Sequence, residues 1–353
     1  MTRVGIYGLG VCLPPDIRCN DWWPADLVAS WGERRRQAPK PNLDAIAMTD
    51  GVRRVLGAMS AQALDPFQGA SERRVLAPAL GTSDMEEQAS RSALARAGIA
   101  PQEIDLLLTY TVAPEYLLSN PACVLHRRLG LRKQCFAMHT DAATYSFLMQ
   151  LSLADAMITS GQANCALLVQ SCVATRLIDP EDPGSPLVGD GASAVVVGRV
   201  SGAHGIEAAV HYADGRYPRT LIATVPWSMP ARARMHVADP QQMFEVFVQT
   251  ADVCKESVDA VLLKSGHRPE DIDFLCVYQG TPWLQRVVQE YTGITRARSF
   301  ETFARFGYLS AAMIPTNLCL AEEAGVVRPD DCVLLTGGGT GMTYGAMIIR
   351  WGR

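Results

Sequence analysis

Long apolar runs, charge and histidine are all scarce in this chain of 353 residues. No apolar run approaches the ~20 residues that a membrane-spanning helix needs. The opening stretch MTRVGIYGLGVCLPP has neither the apolar core nor the cleavage site of a signal peptide. A cytoplasmic protein with no membrane partner is therefore expected. Charged residues make up only 19% and the net charge is −4, which excludes the basic footprint of a generic nucleic-acid binder. The six histidines include no pair at metal-ligand spacing, and the ten cysteines form no CxxC or CxxH cluster. These absences argue against a disulfide framework and a zinc site; neither a metal nor a cofactor is expected. Most cysteines sit inside apolar runs such as CALLV and FLCVY, where cysteine acts as a small hydrophobe.

What is abundant is apolar material, 48% of the chain, enough for one large or two medium domains. So low a charged fraction often accompanies an extensive oligomer interface. Strand-like runs open the chain (VGIYGLGV) and recur at 105–110, 165–170, 193–200, 273–278, 332–337 and 345–351. Amphipathic segments such as 85–98 and 147–161 separate them. Fully apolar strands that alternate with helices indicate an α/β sheet covered on both faces. The order also repeats. AGIAPQEIDLLLTY (97–110) matches SGHRPEDIDFLCVY (265–278), NCALLVQ (164–170) matches DCVLLTG (331–337), and SAVVVG and GAMIIR close the two halves. Duplication explains this ordered recurrence better than chance similarity of two α/β units. It divides the chain into halves 1–200 and 201–353. Segments of about 20–75 and 212–245 fall outside the repeat, each a cap or partner surface.

A duplicated βαβαβ chain with these motifs resembles the thiolase superfamily, and most closely the β-ketoacyl-ACP synthase III family. The carriers are GLGVCLPP, SERRVLAPALGTSDMEEQASRSALARAGI (71–99), SNPACVLHRRLGL (119–131), LVGDGASAVVVG (187–198), FGYLSAAMIP (306–315) and GGGTGMTYGAMIIRW (337–351). The resemblance implies a thiolase fold, a five-layered α-β-α-β-α sandwich. It also implies an active site, and there the sequence departs from the pattern. The family's nucleophilic Cys, in an AACSGF turn before a helix, corresponds to Thr144 in DAATYSF. The His of PHQAN corresponds to Tyr278 in VYQGT, with Gln279 kept, and the Asn of YGN corresponds to Tyr308 in FGYLS.

The chemistry changes with the groups. A Thr hydroxyl without an imidazole to take its proton is a far poorer nucleophile than a Cys thiolate. Two tyrosines, with ordinary pKa near ~10, donate hydrogen bonds but carry no positive charge. Decarboxylative condensation by the family's usual route is therefore disfavoured. Part of the machinery survives by resemblance: the Thr144 N–H at a helix start and a second oxyanion donor at Thr340, flanked by Gly339 and Gly341. Those glycines are equally consistent with turns that need positive φ. His139, in place of a common family Asp, is either a base for Thr144 or a hydrogen-bonded buried histidine. Glu115 lies in a loop that in relatives reaches the dimer partner's acyl pocket, and it is either a base or, as is more ordinary, a surface carboxylate. The family's CoA-binding Arg is replaced by Pro183, whereas Arg34, Arg35, Arg36, Arg232 and Arg234 offer charge to an acidic carrier protein.

Two functions are compatible with this. The first is an acyltransferase of secondary metabolism that moves an acyl group from an acyl carrier protein or CoA thioester to a hydroxyl or amine of a small-molecule acceptor. Transfer proceeds through a Thr144 ester or, as favoured here, directly, since His139 is the only base placed near Thr144. The second is a non-catalytic ketosynthase-like subunit that partners an active homologue or binds an acyl carrier. A homodimer with one sheet running across two chains is expected, joined by the strand after the catalytic helix, CALLVQSC.

Overall fold

The apolar runs become the strands of two sheets. The computed structural model describes residues 3–37, 40–116, 119–223 and 234–353. Its strands are β1 (Arg3–Cys12), β2 (Asp16–Cys19), β3 (Glu72–Val75), β4 (Leu106–Thr111), β5 (Phe136–His139), β6 (Cys165–Val173), β7 (Asp190–Val200), β8 (Gly205–Ala213), β9 (Leu221–Ala223), β10 (Met235–Val237), β11 (Phe274–Val277), β12 (Cys332–Gly339) and β13 (Thr343–Arg350). The helices are α1 (Ala25–Gln37), α2 (Asp50–Gln62), α3 (Thr82–Ala97), α4 (Pro121–Leu129), α5 (Ser146–Thr159), α6 (Pro240–Val248), α7 (Thr250–Ser265), α8 (Leu284–Thr292), α9 (Phe303–Phe306) and α10 (Met313–Glu323). One sheet has the order β1-β7-β6-β4-β5 and the other β11-β12-β13-β8; β2–β3 and β9–β10 are short separate pairs.

The two-residue period of a strand builds the layers. In β4, Leu106 and Leu108 join the central core with α5 and α10, while Leu107 packs among residues of α3 and α4. In β12, Val333 and Leu335 face that same central core, while Cys332 and Leu334 pack against α7 and α8. Each such Leu or Val contributes about 1.5–3 kcal/mol when fully buried. Helix, sheet, central helices, sheet and helix thus follow one another as the α-β-α-β-α sandwich.

Both copies of the repeated motif share their local geometry. Helices α3 and α7 end at Gly98 and Gly266, in the left-handed region with φ of 67° and 77°, which side chains other than glycine's resist. A proline-led turn follows, and its Glu103 or Asp271 accepts from the N–H of Ala100 or Arg268, both at 2.8 Å. The aspartate of each Ile-Asp pair then fastens the neighbouring strand: Asp105 accepts from the Asn164 N–H and Asp273 from the Cys332 N–H, again both at 2.8 Å. The repeated residues are therefore those that start a strand and tie it to the next.

The 20–75 segment braces the rest. The indole N–H groups of Trp23 and Trp31 donate to the carbonyls of Pro180 (3.0 Å) and Glu181 (2.9 Å). Arg73, fully buried, donates to the Pro186 and Arg18 carbonyls and to Asn20 Oδ1, and burial lowers its pKa to about 10. At the other end of the segment, Asp252 of α7 accepts from Thr49 Oγ1 (2.6 Å) and Tyr291 OH (3.0 Å). Of the 212–245 segment, β9, β10 and the start of α6 are described, and Arg232 lies outside the described residues.

One expectation needs correction. CALLVQSC is β6, whose two edges are already paired with β7 and β4, so it has no backbone groups left for a second chain. The sheet ends in β1 and β5, and of these β5, which precedes α5, exposes Phe136 by 54%. An unpaired edge is a template for pairing. We therefore expect light scattering to give twice the 38.3 kDa chain mass and Phe136→Asp to reduce it to one chain; a wild-type monomer at micromolar concentration would refute this.

Candidate active site

The turn after β5 sets the site. Ala143 is held at φ 50°, a conformation that costs a non-glycine residue on the order of 1–3 kcal/mol. Local bonds oppose that cost: Asp141 Oδ1 accepts from the Ala143 N–H (2.7 Å), and Ser146 Oγ accepts from the Ala142 N–H (2.8 Å) while donating to the Ala143 carbonyl (2.7 Å). A single helical turn, 143–145, then leads into α5. Thr144 thus occupies a helix start, where N–H groups have no intrahelical acceptor and the helix dipole is positive.

The hairpin between β12 and β13 closes over this turn. A Cβ on Gly339 would lie 2.6 Å from the Ala142 carbonyl and 3.1 Å from the Thr144 nitrogen. Glycine is required by that close approach, and Gly341, at φ 111°, by its conformation. Gly339→Ala should push the turn away, with a cost of about 1–3 kcal/mol typical of overpacking, read as a lower melting temperature together with weakened ligand binding. An unchanged protein would show that the two loops separate freely.

Thr144, Tyr278, Tyr308 and Thr340 meet in one cavity of about 300 Å³. Its walls are largely apolar and include Leu221, Met235 and Val237 of the β9–β10 pair and Met243, Val246 and Phe247 of α6, with Asp182 and His236 as the titratable groups beside the phenols. The 212–245 segment is therefore a wall of the cavity. Thr144 Oγ1 and the Tyr308 phenol are hydrogen-bonded to each other. Tyr278 follows β11, its N–H donating to the Thr336 carbonyl at 3.0 Å. Gly280 and Gly337 make room for its ring, since a Cβ on either would come within 3.0 Å of Tyr278 side-chain atoms. Burial raises the Tyr278 pKa, and it pushes Tyr308 up to about 12 despite its hydrogen bond with Thr144. Both phenols are neutral donors at physiological pH.

The remaining expected residues lie elsewhere. Gln279 is a structural clamp: its Nε2 donates to the Phe300 carbonyl (2.7 Å) and its Oε1 accepts from the Thr302 N–H (2.8 Å). His139 bonds Thr109 Oγ1 through Nδ1 at 3.1 Å and stacks on Tyr110; burial lowers its pKa, and no bond joins it to Thr144. Glu115 caps α3, accepting from the N–H (3.1 Å) and hydroxyl (2.7 Å) of Ser83, beside a separate small crevice. Arg34 and Arg35 donate to the backbone carbonyls of Glu181 and Pro66, and Arg234 pairs with Asp179. Among the described residues one group, Glu207, His267 and Cys332, has metal-ligand atoms within 4.8 Å of one another. Its Glu207 is already paired with Arg3 (3.3 Å) and Arg350 (3.4 Å), as an ion-pair network joining strands. Sequence reasoning missed Phe247 and Thr250, which line the cavity but read in the sequence only as ordinary helical residues.

Comparison with known proteins gives concordant matches. The family model described as 3-oxoacyl-[acyl-carrier-protein] synthase III matches residues 138–215, and that for its C-terminal part matches 262–351. The chain is similar to the beta-ketoacyl-[acyl-carrier-protein] synthase III of Bacillus pumilus, 33% identical over 286 residues, covering 81% of this chain and 88% of that protein. Among solved structures, the 3-oxoacyl-[acyl-carrier-protein] synthase III of Aquifex aeolicus superposes with a TM-score of 0.79 at 27% identity, over 99% of this chain and 100% of that one. Xanthomonas campestris OleA, at 19% identity, shares the fold with a TM-score of 0.77 over 99% of each chain.

Proposed function

Because the chain belongs to the 3-oxoacyl-[acyl-carrier-protein] synthase III family yet carries Thr144, Tyr278 and Tyr308 in its cavity, we propose that it is an acyltransferase without a covalent intermediate. In this reading an acyl group passes from an acyl-carrier-protein or CoA thioester to a hydroxyl or amine of a small acceptor of secondary metabolism. The names of its relatives supply the carrier; the apolar walls suit an acyl chain. The acceptor's oxygen or nitrogen attacks the thioester carbonyl while the Thr144 N–H and the Thr340 loop hold the developing oxyanion. The carbon–sulfur bond breaks, and the proton lost by the acceptor ends on the departing sulfur. The neutral phenols of Tyr278 and Tyr308 orient the two reactants. Orientation alone can account for ~7–11 kcal/mol of a barrier.

The observation that carries this reading is one cavity in which a helix-start N–H, a glycine hairpin and two phenols converge, with a phenol rather than a carboxylate or imidazole hydrogen-bonded to Thr144. The competing reading, a non-catalytic partner of an active homologue, rests on the lost Cys, His and Asn. Incubation of the purified protein with acyl-thioesters and panels of alcohols and amines separates the two. Ester or amide products with release of free thiol support transfer; no turnover with any pair, together with tight binding of a homologue, supports the partner role.

A further inference from the structure

Outside the cavity, three polar side chains meet where α5 passes under β8. The imidazole of His211, on β8, lies 2.7 Å from Ser152 Oγ through Nε2 and 2.6 Å from the Tyr145 hydroxyl through Nδ1. Tyr145 immediately precedes α5 and Ser152 comes seven residues later. Two helical turns separate them, so both stand on one face of the helix. None of the three lines the cavity that holds Thr144.

The two ends of this row differ. Tyr145 is buried, and its ring is seated against β13, where a Cβ on Gly345 would come 2.1 Å from its hydroxyl. It meets the imidazole edge to face, with centroids 5.9 Å apart. The bond between Ser152 and His211 lies at the solvent end. Burial lowers the His211 pKa, and Lys264 adds to the lowering; its Nζ donates at 2.9 Å to the carbonyl of Ala209, two residues before His211. The ring is therefore neutral at physiological pH. Solvent at Ser152 lets its two tautomers exchange. The one with hydrogen on Nδ1, toward the Tyr145 oxygen, leaves Nε2 bare to accept the serine proton. A hydroxyl, a neutral base within hydrogen-bond reach and a third group that orients the base make up the pattern of an activated nucleophile. Thr144 has no such base, since its hydroxyl is bonded to a phenol.

We propose that Ser152, His211 and Tyr145 form a second reactive site, at which Ser152 is acylated by activated esters. Ser152 Oγ bonds to the carbonyl carbon while its proton passes to His211 Nε2. The bond from that carbon to the leaving oxygen then breaks, and the proton departs with that oxygen. Tyr145 orients the imidazole but, unlike a carboxylate, brings no negative charge to the imidazolium. Esters of phenols and acidic alcohols, whose leaving group needs little assistance, are therefore the substrate class. The step uses neither a thioester nor an acceptor, so it stands apart from the transfer proposed above.

The probe is p-nitrophenyl acetate with the purified full chain. The wild type should release p-nitrophenolate and gain an acetyl group that peptide mass spectrometry places on Ser152. Ser152→Ala should lose that mark. His211→Gln should slow its formation about a hundredfold, the low end of what a positioned base contributes. Tyr145→Phe, which keeps the ring, should slow it about tenfold. The wild type alone carries an internal control. Ser160, exposed at the end of the same helix, bonds the Met157 carbonyl and Gln162 rather than an imidazole, and it should be marked at least about a hundredfold more slowly than Ser152. An unmarked Ser152, equal marking of Ser152 and Ser160, or a mark that forms in His211→Gln at the wild-type rate would overturn the proposal.

Discussion

Tyr278→Phe should lower kcat/KM by about a hundredfold to a thousandfold, the loss typical of removing one positioned donor, ~2.7–4 kcal/mol. Its side chain lines the cavity, and its ring is seated against Gly280 and Gly337, which fixes where the phenol can donate. Thr144→Ala should cost less, about tenfold, because the backbone N–H at the helix start survives the substitution. The contrast discriminates the two chemical routes. If an ester formed on Thr144, the alanine variant would lose all turnover, and intact-mass measurement of the wild type after donor addition would show an adduct that forms as fast as turnover. Activity ratios and mass spectra on the two variants decide between them.

The second large effect concerns stability. Glu86 of α3 is buried, accepting from Ser171 Oγ at 2.7 Å. Burial pushes its carboxyl from 4.5 up to about 7, outweighing that bond, and the nearby Glu115 adds to the rise. The folded protein therefore holds this proton more tightly than the unfolded chain does. Linkage makes stability fall as pH rises between about 4.5 and 7, with no further loss from this group above that range. At 1.36 kcal/mol per pKa unit, the full loss is about 3 kcal/mol. Glu86→Gln keeps an acceptor for Ser171 and cannot ionise. Urea unfolding at pH 5, 6, 7 and 8 should show the wild type weakening across that window and the variant not, with the variant the more stable at pH 8. Parallel profiles for the two proteins would contradict this account.

Most of the architecture was legible in the sequence because it rests on local rules. The largely apolar β4, β6, β7 and β12 announce themselves as covered strands, and the repeated Gly-Pro-acidic-Asp motif marks where a helix stops and a strand begins. Thr144, Tyr278 and Tyr308 were found by their place in motifs, and they do converge. What was not legible depends on side-chain direction. Gln279 follows Tyr278 immediately, yet it turns toward the 300–303 backbone. His139 is five residues from Thr144 but faces Thr109. Nothing in the spelling of FGYLS or LLLTY reveals that Ser310 and Tyr110 touch, since they are 200 positions apart. The strand expected to pair with a second chain was misplaced for a related reason: apolarity identifies a strand, but only the sheet order tells which strands lack a neighbour.

A cavity floored by alcohols and phenols also decides which poisons the protein tolerates. Among the described residues no cysteine lines it. Of the ten thiols, only Cys19 and Cys123 are exposed, and burial pushes Cys165, Cys276, Cys319 and Cys332 up to about 12. Peroxides and alkylating electrophiles attack thiolates, so iodoacetamide should mark Cys19 and Cys123 and leave ligand binding in the cavity as it was. Loss of binding on labelling would point to a reactive thiol near the site. A catalyst that works through a cysteine thiolate halts under oxidative stress; under the proposed function, a site built on Thr144, Tyr278 and Tyr308 would keep its resting chemistry in the same conditions.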